Sequence, residues 1–117
     1  MTVSPEEAVM AGLARQRQMR IEVNGYIKDC EKIQNIIALL RQFKNCPKGG
    51  ILTELKARGM DPQGEKDSEL ESWSSIKIDK LDAERQTIFR EKIRPLNRAI
   101  DEVGESIHKN YLQFLLA

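Results

Sequence analysis

The sequence predicts an all-α fold: an elongated, coiled-coil-like antiparallel helical hairpin with a short helix in its connecting segment. Two long segments, residues 5–45 and 68–116, repeat apolar residues at helical spacing. A stretch containing glycine and proline separates them, and nowhere do apolar and polar residues alternate as in a half-buried strand. The expectation is one domain over residues 1–117: a helix at 5–45, a connector at 46–67 and a helix at 68–116.

The first helix has a clear start. Ser4 can cap it, Pro5 suits the first turn, and Glu7 completes a capping box. From Met19 the apolar positions run Val23, Tyr26, Cys30, Ile33, Ile37 and Leu40, the alternating four-three spacing of a heptad seam. Ile27, Ile36 and Phe43 are expected to widen that stripe, which then needs more than one neighbour to cover it. Before Met19 the seam weakens, because Gly12 and Gln16 stand where large apolar residues would fit. That end is expected to pack more loosely.

Pro47, Gly49 and Gly50 stop the first helix, since proline bars its predecessor from helical geometry and glycine tolerates left-handed turns. Ile51 to Arg58 reads as a short helix closed by Gly59. A connector of this length is too long for a tight turn and carries its own apolar knob of Ile51, Leu52 and Leu55.

Ser68 and Glu71 form a second capping box. The apolar positions that follow are Leu70, Trp73, Ile78, Leu81 and Ile88, then Phe89, Ile93, Leu96, Ile100, Val103, Ile107 and Phe114. Their phase shifts near Ile88 and Phe89, and Pro95 removes a backbone donor shortly afterwards, so a kink is expected near Pro95. At 1.5 Å per residue the two helices would measure roughly 60 and 70 Å.

Composition narrows the function classes. Of 117 residues, 32% are charged and 40% hydrophobic, as in an ordinary helical globular chain. Nineteen Lys and Arg against eighteen Asp and Glu leave no global field to drive the chain onto nucleic acid or an anionic surface. No apolar run approaches the roughly 18 residues a membrane span needs. The first residues carry two acids and no basic region ahead of an apolar run, so no cleavable secretory signal is expected. A cytoplasmic protein is the expectation, with non-classical secretion left open. Cys30 and Cys46 have neither CxxC nor zinc spacing, so no metal and no cofactor is expected.

Catalytic patterns are missing as well. His108, the single histidine, has Asp101, Glu105 and Leu112 as helical neighbours rather than a nucleophile, and the paired acids Asp79 and Asp82 lie on a polar helix face. Neither GxxxxGK[ST] nor GxGxxG occurs around Gly49 and Gly50. A non-enzymatic role is therefore expected.

Two helices side by side cover one stripe of each other, which leaves the wide apolar faces seeking cover. The expected partner-binding residues are Ile51, Leu52, Leu55, Trp73, Tyr111, Phe114 and Leu115, and the expected partner is helical, a second copy of the chain in a homodimer included. In outline the hairpin is similar to secretion-system chaperones and phage scaffolding proteins, without a shared motif. The expected function is that of an assembly adaptor, scaffold or secretion-type chaperone.

A second reading rests on charge. If residue i lies near residue 113 − i, then Arg15, Arg17 and Arg20 come beside Arg90, Lys92, Arg94 and Arg98. Seven basic residues would then form a patch for an acidic segment or nucleic acid, unless Glu22, Glu84 and Glu91 neutralise it through nearby pairs. No aromatic residues interleave them as a stacking platform would require.

Overall fold

Ser4 opens helix α1 (Pro5–Arg41) in the computed structural model, which describes residues 4–42, 50–60 and 70–116, with the backbone alone at 50–52 and 70–72. Glu7 donates its backbone N–H to Ser4 Oγ at 3.2 Å, and Ala8 donates to the Ser4 carbonyl at 3.0 Å. The first satisfies an otherwise orphaned donor of the opening turn, and the second is the first intrahelical bond. The remaining elements are α2 (Gly50–Ala57), α3 (Leu70–Ile88), a π turn (Phe89–Ile93) and α4 (Arg94–Leu116). The fold is all-α, and the described residues contain no strand. Ser68, Phe43 and Cys46, and the side chains of Ile51, Leu52 and Leu70, lie outside what is described.

The heptad seam of α1 is the buried face of the helix. Met19, Val23, Ile33, Ile37 and Leu40 are buried, and Tyr26 and Cys30 are partly so. Ile36 joins the core as expected, whereas Ile27 stays 38% exposed and does not widen the stripe. The chain packs as two compact units, Met1–Asp29 with Ile88–Ala117, and Cys30–Thr87.

In the second unit, Leu40 and Leu55 are almost wholly excluded from solvent, and Ile36, Leu39, Met60, Trp73, Ile78 and Leu81 pack around them. The end of α2 locks Leu55 in place. Gly59 adopts φ +75°, Gly59 donates to the Lys56 carbonyl at 3.0 Å, and Met60 donates to the Leu55 carbonyl at 2.7 Å. These are the two hydrogen bonds of a Schellman stop, and Met60 packing on the Leu55 cluster supplies its usual apolar contact. Cys30 Sγ lies 3.9 Å from the Arg85 carbonyl, which ties α1 to α3. Ser74 is buried with no hydrogen-bond partner for its hydroxyl, and no structural reason for it is evident.

The π turn explains the phase shift in the sequence. The inward stripe Leu81, Arg85, Ile88 would continue at Lys92 in an unbroken α-helix, whereas it resumes at Ile93 and continues through Leu96, Ile100, Val103 and Ile107. One extra residue in the turn keeps Lys92 in solvent and buries Ile93. The Arg94 N–H reaches back to the Phe89 carbonyl, so the turn widens just ahead of Pro95. The disturbance expected near Pro95 thus takes the form of a π turn at Phe89–Ile93.

In the first unit, α1 and α4 run antiparallel, and the end expected to be loose is close-packed. A Cβ added at Gly12 would sit 2.6 Å from Ile107 Cγ1, closer than atoms can approach. Gln16 Nε2 donates to the Ile100 carbonyl at 3.1 Å, and a Cβ at Gly104 would lie 3.1 Å from the same nitrogen. Each glycine therefore faces a large side chain of the other helix, and removal of two Cβ atoms lets the backbones approach.

Candidate interaction surface

The antiparallel register decides which expected site residues meet. Gly12 faces Val103 and Ile107 and Gln16 faces Ile100 and Gly104, about one helical turn beyond the partners that the 113 − i rule assigns. Part of this displacement comes from the residue added by the π turn. The shift carries Arg15 away from the basic stretch of α4. Arg15 shares an open groove with Ala99, Glu102 and Ser106, and Arg20 shares another, of about 590 Å³, with Asp101, Glu105, His108 and Lys109. The expected basic residues thus border more than one groove. Lys92 lines a third groove beside Glu22, Tyr26 and Glu91.

All seven basic residues, Arg15, Arg17, Arg20, Arg90, Lys92, Arg94 and Arg98, are exposed. Among the described residues the ion pairs are Arg85–Asp82 at 2.8 Å and Arg58–Glu54 at 4.0 Å, so none of the seven is engaged in one. The expected neutralisation through Glu22, Glu84 and Glu91 does not take the form of close pairs. Arg94 instead lies over the exposed Phe89 ring, 5.4 Å from its centroid, a weakly attractive arrangement at the surface.

The apolar candidates divide. Leu55 is fully buried inside its own unit, so it serves the core and is not available to a partner, contrary to expectation. Trp73 is partly buried against the same core, with the Lys77 ammonium 5.9 Å from its ring. Tyr111, Phe114 and Leu115 are exposed by 49%, 49% and 59%. Leu112 and Leu116 are exposed beside them, and on α1 of the same unit Met10 and Leu13 are exposed too. The apolar run from Tyr111 to Leu116 is legible in the sequence, whereas Met10 and Leu13 are not marked by it. What would have found them is the outward offset of these residues from the seam that runs through Gly12 and Gln16.

The described residues include no cluster of three or more His, Cys, Asp or Glu able to hold a metal ion. None of their helices is long and apolar enough to cross a membrane. A hydrogen bond from Arg85 holds the Asp82 carboxyl below the usual range, with Gln86 Nε2 donating at 2.9 Å to its other oxygen. This clamp spans one turn of α3 and braces the helix surface. No protein-family model, curated protein or solved structure matches the chain.

Proposed function

We propose that this chain is a helical interaction protein, an adaptor, scaffold or chaperone, that buries amphipathic helical surface against itself or a helical partner. One observation carries the reading: five large apolar side chains, Tyr111, Leu112, Phe114, Leu115 and Leu116, are exposed within the last six residues of α4. Complete burial of such a side chain contributes about 1.5–3 kcal/mol. Even the half-exposed share of five of them is enough to drive docking of a helix face.

A second reading, a nucleic-acid-associated factor, draws on the seven exposed basic residues that lack a close ion pair. Light scattering behind size exclusion, with absorbance at 260 and 280 nm across the peak, separates the two. The interaction reading expects a mass above one chain, free of nucleic acid, that falls when Phe114→Glu and Leu115→Glu are introduced together. A mass unaffected by that double variant counts against the apolar end, and excess absorbance at 260 nm promotes the nucleic-acid reading.

A further inference from the structure

The outward face of α4 carries a charge pattern that is its own complement. Arg94, Arg98, Asp101, Glu105, His108 and Leu112 follow one another at steps of four, three, four, three and four, and all are exposed. Such spacing places them on a single stripe, apart from the apolar one that packs on α1, with Asp101, Glu105 and His108 bordering a groove that Gln16 and Arg20 of α1 also line. Read along the helix, the stripe is positive, positive, negative, negative, then His108 and the apolar Leu112, with exposed Phe89 next to Arg94 at its start.

Within one chain this order mixes attraction with repulsion, since Arg98 has Asp101 three residues on and Glu105 has Lys109 four residues on. Arg94 with Arg98, and Asp101 with Glu105, are like charges four residues apart, which disfavour the helix that carries them. None of the four makes an ion pair among the described residues. Arg20 and Lys109 line the groove beside the two acids without closing to ion-pair distance.

We propose that a second copy of this chain docks on this stripe, α4 against α4 and antiparallel, about a two-fold axis between Arg98 and Asp101. The two-fold sets Arg94 against Glu105 and Arg98 against Asp101 of the other copy, each twice, so four opposite pairs across the interface offset the two like-charged pairs within each chain. With a rise of about 1.5 Å per residue, the same register brings Phe89 of each copy next to Leu112 of the other, closing both ends with apolar contact. Self-complementarity is what a two-fold interface demands, and a heterologous partner would not need it. This inference rests on the reading of the chain as an interaction protein and names the partner and the register.

Two reversal variants of the full chain test it: Arg94→Glu with Arg98→Glu, and Asp101→Arg with Glu105→Arg. Mass would be measured by sedimentation equilibrium at roughly 0.05 M and 0.5 M salt, where exposed pairs are respectively weakly and strongly screened. The wild type is expected to be two chains at low salt and to dissociate as salt rises. Each variant alone should have its dissociation constant raised at least about tenfold, since repulsion replaces four exposed pairs. An equal mixture of the two variants should restore the two-chain species, because each then meets its opposite.

A wild type of one-chain mass at low salt, variants that associate like the wild type, or a mixture that stays dissociated would overturn the proposal. Helical circular dichroism checks folding. Should a reversal unfold the chain, Arg94→Gln with Glu105→Gln must still weaken the salt dependence of association, and an unchanged dependence rejects the pairing. Association that survives the reversals but is lost with Phe114→Glu and Leu115→Glu removes the antiparallel register and leaves the interaction reading standing.

Discussion

Three glycines of the first unit are chemically identical, yet substitution should affect them in opposite directions. Gly25 lies in the interior of α1 with nothing within 4 Å of an added Cβ, so Gly25→Ala should stabilise the chain by about 0.8–1 kcal/mol through helix propensity. Gly12→Ala gains the same propensity but drives a methyl into Ile107, a stiff β-branched side chain, and overpacking of this kind costs about 1–3 kcal/mol. Net destabilisation is expected at Gly12 and net stabilisation at Gly25, measured by urea unfolding. At Gly104 the obstructing atom is the flexible end of Gln16, so the loss should be smaller than at Gly12. Asp82 makes a different kind of prediction. Because Arg85 depresses its carboxyl pKa in the fold, Asp82 adds stability that is present above about pH 4, its ordinary range, and lost as pH falls through the folded value. Asp82→Asn should therefore shift the urea midpoint most at neutral pH, with the difference closing toward pH 2. The pair is well exposed, so the shift will be small.

Among the elements, α2 and the π turn do most to fix where side chains go. Leu55→Ala should cost about 2–5 kcal/mol, as for a large-to-small change in a closed core, although Leu55 sits in a helix of only eight residues. The Gly59 stop makes that possible by turning the chain in a left-handed conformation unsuited to other residues. Across the π turn, neighbouring residues should behave differently. Ile93→Ala removes a buried side chain and should cost about 2–5 kcal/mol, whereas Lys92→Ala should stay within about 0.5 kcal/mol. Equal effects at the two positions in thermal unfolding would mean that the helix runs through in uninterrupted α geometry. The change of phase at Ile88 and Phe89 was visible in the sequence. Its resolution as a π turn was not, because a kink, a break and an inserted residue leave the same trace in a list of apolar positions.

For the molecule as a whole, stability and association are expected to be separable. Phe114→Glu with Leu115→Glu alters residues about half exposed, so thermal unfolding of the dilute chain should stay near that of wild type while association weakens. A parallel loss of both would place the end of α4 in the core. Sequence by itself determined the helical class, the start of α1 at Ser4, the seam from Met19 to Leu40 and the stop at Gly59, because these follow from local spacing, capping and backbone freedom. The apolar end at Tyr111, Phe114 and Leu115 was legible for the same reason: too many large side chains lie together on one turn for a single neighbour to cover. What only tertiary structure decided was the pairing between segments distant in the chain. Leu55 became core because α1 and α3 close around it, and Arg15 came to lie beside Glu102 because the helices meet one turn from the simplest register. Antiparallel helices can slide by a turn while keeping each apolar stripe inward, so periodicity leaves the register open. Here the choice is made by the fit of Gly12 to Ile107 and of Gly104 to Gln16, a matter of volumes that meet only when the chain has folded.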